Sequence, residues 1–198
     1  MNFLAHAYLS FNYPNIVVGN MISDFIKGKK QFDYPSAIQK GIQLHRAIDN
    51  FTDTHAATQE LKFYFKPQYR LYAGAFADVI YDHFLANDKS TFATDNDLKL
   101  FAAGTYKILE DNVAILPEVF QQMLPYMVAQ DWLYNYKTTG GIQKSFAGLA
   151  KRARYLPETD IAFNIFKSNY DALQHICLSF YPEIKKFTAH HLHNSLHI

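Results

Sequence analysis

The sequence predicts an all-α protein, a single-domain helical bundle of about eight helices over residues 1–198. Three observations predict it. Apolar residues recur at helical spacing along most of the chain, alternating strand patterns and Asn-Gly hairpin turns are absent, and the seven prolines and eight glycines are scattered as punctuation rather than gathered into a linker. With 198 residues, 49% of them hydrophobic, the chain is long enough to bury one sizeable core.

The first ten residues are apolar but carry no basic leader and no run long enough for a signal-peptide core or a membrane span, so a cytoplasmic protein without membrane association is expected. Pro14 can open a helix running to Ile26, stopped by the turn Lys27-Gly28-Lys29-Lys30. Ser36, behind Pro35, is read as the cap of the next helix, whose one face carries Ile38, Ile42, His45, Ile48 and Asp49. Thr52 or Asp53 is read as the cap of a helix through Glu60 and Phe65 that ends where Lys66-Pro67 resets the chain. Leu71, Ala75, Asp78, Asp82 and Leu85 mark one stripe of a helix ending near Asn87-Asp88. Its opposite side carries Ala73, Ala77, Ile80 and Phe84, which predicts a helix through the middle of the domain. Asp95 or Asp97 starts another helix to about Glu110, and helical patterns follow near residues 117–137, 141–153 and 158–190.

Composition narrows the function. A formal net charge of +1 gives no reason to expect nucleic acid as a partner. The single cysteine, Cys177, cannot form an internal disulfide and reads as a buried thiol. The 16% aromatic content reads as core packing. No phosphate-binding glycine loop, zinc-ribbon cysteine spacing or Gly-x-Ser-x-Gly elbow is present; Gly140-Gly141 reads as a helix-joining turn, and the histidines at 190, 191, 193 and 197 as a frayed helix end.

What stands out is a set of carboxylates and imidazoles inside apolar stripes. An ionised carboxylate in a low-dielectric setting needs a cation, hydrogen bonds or a proton. Four stretches supply candidate ligands: His6; Asn20 and Asp24; His45, Asp49 and Asp53; Asp78, Asp82 and His83. Imidazole and carboxylate without thiolate suit Mn²⁺ or Mg²⁺, with Fe²⁺ or Zn²⁺ as alternatives. Asp53 also fits a plain helix cap, and Asp49 could pair with Arg46 or Arg70. Arg70, ahead of the Asp78–Asp82 stripe, could instead neutralise a phosphate. Basic side chains gather at Lys27, Lys29 and Lys30, and at Lys144, Lys151, Arg152 and Arg154.

Several of these motifs together are more specific than any alone. Met1-Asn-Phe-Leu-Ala-His6, Gly19-Asn20-Met-Ile-Ser-Asp24-Phe25, Gly41-Ile42-x-x-His45-Arg46-x-Ile48-Asp49-x-x-Thr52-Asp53 and Asp78-x-x-x-Asp82-His83-Phe84-Leu85 resemble the acyl carrier protein phosphodiesterase family, and the likeness continues through Trp132-Leu133 to Arg152-x-Arg154. The resemblance implies a divergent HD-type, Mn²⁺-dependent helical hydrolase. Such an enzyme cuts the phosphodiester between 4′-phosphopantetheine and the serine of holo-acyl carrier protein. Where HD enzymes carry His-Asp, this chain reads Asp82-His83.

On that reading Asp24, His45, Asp82 and His83 hold the metal, Asp49 and Asp78 support it, and His6 or Asp49 orients water or protonates the leaving oxygen. Substituting Asp82 by alanine would then stop turnover and spare the fold. Lys144, Lys151, Arg152 and Arg154 are the first candidates for docking an acidic carrier, and Lys27–Lys30 the second. The rival readings are an HD-type phosphohydrolase of a nucleotide or alarmone, and a non-enzymatic helical module that binds carrier proteins. Oligomeric state is not encoded in any feature of the sequence.

Overall fold

The structure, a computed structural model, describes residues 1–152 and 158–196. Among these residues there are eleven α-helices and no strand, so the all-α expectation holds. The helices are α1 (Phe3–Tyr8), α2 (Pro14–Ile22), α3 (Ser36–Thr54), α4 (Ala56–Tyr69), α5 (Ala73–Asn87), α6 (Asp95–Asp111), α7 (Glu118–Ala129), α8 (Trp132–Asn135), α9 (Thr139–Arg152), α10 (Asp160–Ser168) and α11 (Tyr170–Leu196). Among the described residues no helix is long and apolar enough to cross a membrane.

α5 is the axis of the core. Every residue from Val79 to Ala86 is buried, and Phe76, Tyr81 and Phe84 are among the largest fully enclosed side chains. Burial of each such ring contributes roughly 1.5–3 kcal/mol. One face meets an aromatic lattice in which Phe76 stacks on Phe65 and meets Phe146 edge-on at 4.9 Å. Another face receives α1. Asp82, fully buried on that face, accepts the backbone N–H groups of Asn2 (3.1 Å), Leu4 (2.7 Å) and Ala5 (3.4 Å). These are the donors that a helix start leaves without intrahelical partners, so one carboxylate both caps α1 and docks it.

α2 and α3 touch backbone to backbone. A Cβ on Gly19 would stand 2.1 Å from the carbonyl oxygen of Ile38, and one on Gly41 would stand 2.5 Å from that of Ile16. Only glycine permits that approach.

Boundaries depart from expectation for local reasons. Ser36 lies inside α3 with Pro35 at the cap and makes no capping bond. α3 runs on to Thr54, and the cap of α4 is His55, whose Nδ1 accepts from Ala57 N (3.2 Å), rather than Thr52 or Asp53. Pro67 is accommodated inside α4, since the carbonyl it deprives belongs to the exposed Phe63; α4 ends instead at Arg70, with φ 44°. Leu71 is not on α5 but 98% exposed in the turn before it. Eleven helices replace eight because breaks occur without a glycine or proline signal: left-handed Asp131 divides α7 from α8, and Asn169 divides α10 from α11. α1 was not anticipated, because its apolar sequence has no period long enough to read. The histidines at 190, 191 and 193 sit within α11, and His197 lies outside the described residues.

Replacing Gly41 by alanine is expected to cost about 3 kcal/mol in urea unfolding, because the new methyl meets main chain that cannot move aside. Asp82→Ala is expected to cost about 3 kcal/mol or more, since it strands buried N–H donors at the start of α1. An unfolding midpoint equal to that of the unaltered protein would refute either assignment.

Candidate functional site

α1, α2 and α3 converge on one asparagine. Asn20, fully buried, donates through Nδ2 to the carbonyl of His6 (2.8 Å) and to Ser10 Oγ (3.0 Å). Its amide orientation is thereby set, and Oδ1 is left to accept from His6 Nδ1 at 2.8 Å. The main-chain oxygen of the same residue accepts from His45 Nδ1 at 2.7 Å. A carbonyl oxygen has no proton to give, so both imidazoles carry their hydrogen on Nδ1 and turn Nε2 the other way. The rings stack, with centroids 3.9 Å apart and an interplanar angle of 14°.

Both Nε2 atoms face carboxylates. His45 Nε2 lies 3.1 Å from Asp24 Oδ1 and 3.1 Å from Asp49 Oδ2, and His6 Nε2 lies 3.2 Å from Asp49 Oδ1. The His6 contact is close without hydrogen-bond geometry, and His6 Nε2 is a buried polar atom with no hydrogen-bond partner. Lone pairs facing carboxylates call for positive charge between them. A proton on His45 is one such charge: burial opposes it, but hydrogen bonds to Asp24 and Asp49 override burial and raise the pKa to about 9. His6 goes the other way. Burial, and then the neighbouring His45 charge, push it down to about 4. Burial alone would raise Asp49, yet the two imidazoles and the Met1 α-ammonium around it hold it well below the usual carboxylate range, and the hydrogen bond from His45 lowers Asp24.

This donor set fits a divalent cation. Ligand atoms of His6, His45 and Asp49 lie within 4.8 Å of one another, and Asp24, its side chain 72% exposed, borders the same point from the solvent side. The unpartnered His6 Nε2 is the atom such an ion would satisfy, with Asn20 fixing both rings from behind.

The flanks are also charged. The Met1 α-ammonium lies 2.9 Å from Asp78 Oδ1 and 3.6 Å from Asp49 Oδ1. Burial opposes its charge, but the two carboxylates raise its pKa to about 10. Burial in turn raises the Asp78 carboxyl. Lys62, which sequence reasoning passed over, pairs with Asp53 at 2.8 Å.

Of the predicted residues, His6, Asp24, His45 and Asp49 come together, with Asp78 adjacent through Met1. Asp82 and His83 do not join them. Successive helical residues diverge by about 100°, so the two neighbours leave α5 in different directions. Asp82 is committed to the backbone of α1, with burial pushing its carboxyl up to about 7. His83 gives Nδ1–H to the carbonyl of Tyr136 (2.7 Å), meets Tyr170 Oη at 3.0 Å through Nε2, and packs edge-on against Phe166. Arg46 bonds to Gln31 (2.9 Å) rather than to Asp49, and Arg70 is exposed in the turn before α5. Lys144 and Lys151 are exposed on α9; the Arg152 side chain and all of Arg154 lie outside the described residues. Asn20 was legible as a candidate ligand, but its role as a clamp on two rings depends on the Gly19–Gly41 approach.

A family model described as acyl carrier protein phosphodiesterase matches residues 1–184. A Yersinia pestis protein of that name is 30% identical over 190 residues, covering 96% of this chain and 98% of its own length. A Klebsiella pneumoniae protein of the same name is 32% identical over 186 residues, covering 94% of this chain and 96% of its own. A Pectobacterium atrosepticum protein, again so named, is 29% identical over 184 residues, covering 93% and 95%. No solved structure matches the chain.

In chelator-treated protein, imidazole ¹⁵N resonances should report His45 doubly protonated at pH 7.5 and His6 neutral with hydrogen on Nδ1. On titration His45 should lose its proton near pH 9 and His6 should gain one only near pH 4. The fold holds the His45 proton more tightly than an unfolded chain with a pKa of 6.5, so its stabilisation is complete below 6.5 and is lost as pH rises through about 9. A His45 that titrates near 6.5 in the folded protein would sink this account.

Proposed function

The chain belongs to the acyl carrier protein phosphodiesterase family, and from that premise we propose that it hydrolyses the phosphodiester joining 4′-phosphopantetheine to the serine of holo-acyl carrier protein, releasing apo-carrier and 4′-phosphopantetheine. Full-length agreement with relatives so named supports the substrate. The single observation that carries the chemistry is the pair of Nε2 atoms that Asn20 turns onto Asp49.

Mn²⁺ is the proposed cofactor, with Mg²⁺, Fe²⁺ and Zn²⁺ as alternatives, held by His6, His45, Asp49 and Asp24. When bound, it would supply Lewis acidity at the phosphoryl oxygens and lower the pKa of a water. The chain's own residues do the rest. Asn20 takes the Nδ1 hydrogen of both imidazoles and so turns both Nε2 atoms toward Asp49, whose carboxylate spans them and stays ionised throughout the neutral range. Water adds to phosphorus, the phosphorus–serine oxygen bond breaks, and that oxygen takes a proton. His6 and Asp49, the sequence candidates for donor, bind protons too weakly near neutrality. Burial raises the Asp78 carboxyl on the cluster's flank, and the proton it shares with the Met1 α-ammonium at 2.9 Å is the one available there to the leaving oxygen.

Carrier docking is assigned to Lys27, Lys29 and Lys30 ahead of α9. All three are exposed in the turn directly after Asp24 and Phe25, beside the 61% exposed Phe32. Lys144 and Lys151 instead ride on a helix whose Phe146 packs on Phe76, and Phe76 lies about 200° around α5 from Asp78. A cationic, partly apolar ledge next to the cluster suits the acidic helices of a carrier.

His45→Ala and Asp49→Ala are each expected to lower conversion of holo- to apo-carrier, read by intact mass, by about a hundred-fold or more. Chelation should stop conversion and Mn²⁺ should restore it; full activity in chelator would reject the metal. Reversing charge at Lys27, Lys29 and Lys30 should raise KM for the carrier about ten-fold at low salt, with the difference shrinking as salt rises, and an unchanged KM would move docking to another face.

A further inference from the structure

Beside α1, on a neighbouring face from His6, lies a cavity of about 430 Å³ between the loop after α5 and the middle of α11. Pockets that hold small organic ligands run from about 300 to 1,000 Å³. Its walls are apolar where Leu9, Leu85, Leu178 and Ile184 meet. Its rim is polar: Lys185 Nζ donates to Tyr8 Oη at 2.8 Å and sits 5.3 Å from the Tyr8 ring centroid. Across the rim the turn Asp88–Thr91 is braced by Asp88, which accepts from Ser90 N (2.9 Å) and Thr91 Oγ1 (2.8 Å). Met1 lines both this cavity and the recess formed with His6, Asp24 and His45.

We propose that this cavity receives the pantetheine arm of the carrier's prosthetic group, a subsite that rests on the phosphodiesterase reading. A phosphodiester held at the cluster sends the carrier serine one way and the arm the other. The cavity bordering the same Met1, open to solvent on one side, is a space into which a chain can leave. Its chemistry suits an amphipathic chain. The arm carries two methyl groups on one carbon, a hydroxyl and two amides, which ask for apolar walls with donors at intervals. Lys185 has N–H donors beyond the one given to Tyr8, and the Tyr8 hydroxyl can turn toward an amide. A fatty acyl chain would leave this charged rim unused, so the arm and not an acyl tail is the occupant.

The test is calorimetric binding of free pantetheine, without phosphate or carrier, to the whole protein. Unaltered protein should bind it at millimolar concentration, and Leu178→Trp, which fills the cavity from a position already 42% exposed, should weaken binding at least about ten-fold at an unchanged melting temperature. Methyl resonances of Leu9, Leu85 and Ile184 in the unaltered protein should shift on addition of pantetheine, which decides the matter even if the tryptophan variant misfolds. Absence of binding, equal affinity in both proteins, shifts confined to other methyls, or binding of octanoate in place of pantetheine would each overturn the subsite. Conversion of holo-carrier by the unaltered protein, measured alongside, reports on the parent reading separately, because pantetheine binding needs no turnover.

Discussion

The contact between α2 and α3 at Gly19 and Gly41 governs what the rest of the site can be. With backbones this close, the residue after Gly19 lies against the residue one turn beyond Gly41, and the main-chain oxygen of Asn20 reaches the His45 ring. The side chain of Asn20 then has only α1 left to address, and His6 is the ring it meets. A wider helix pair would separate the two imidazoles, and Asp49 could not span both. The electrostatics follow from that geometry: stacked rings 3.9 Å apart do not both hold a proton, so burial and the carboxylates divide them into one basic and one very weakly basic imidazole.

Asp82 illustrates how a buried charge can be misread. Its position in an apolar helix demanded compensation, and a cation was one of three physical answers. The answer in the fold is hydrogen bonds: main-chain donors from a helix that arrives from the other end of the sequence. The consequence for the site is indirect but large, because the helix that Asp82 anchors carries His6. His83 has partners of its own. Adjacent in sequence, it belongs to a different neighbourhood, where a carbonyl, a phenol and a phenylalanine ring already satisfy it.

Much of the fold was legible because its largest elements carry their period openly. The α3 stripe through Ile38, Ile42, His45, Ile48 and Asp49, and the wholly apolar centre of α5, have the spacing of buried helices. The site was half legible. His6, Asp24, His45 and Asp49 stood out as polar groups in apolar runs, but spacing alone could not say that Asp82 faces a backbone or that Lys62 pairs with Asp53. The Asp82 contacts join residues about 80 apart, and the Lys62–Asp53 pair crosses from one helix to the next; no single-helix pattern encodes either. The helix breaks at Asp131 and Asn169 escaped for a related reason: the residues tolerate a left-handed or terminal conformation without demanding it.

The shortness of α1 has a bearing on how the protein comes into being. A helix of six residues cannot persist alone in water; it exists because Asp82 takes its first N–H groups and Asn20 holds its fourth residue, His6. α2 and α3 are near neighbours in sequence, whereas α1 is completed only when α5, some 80 residues downstream, brings Asp82 to its first turn. His6 is therefore the member of the cluster whose place depends on contacts some 80 residues distant in the chain. A chain still on its way to the native state lacks the complete donor set, and maturation of the fold is itself the step that arms the site.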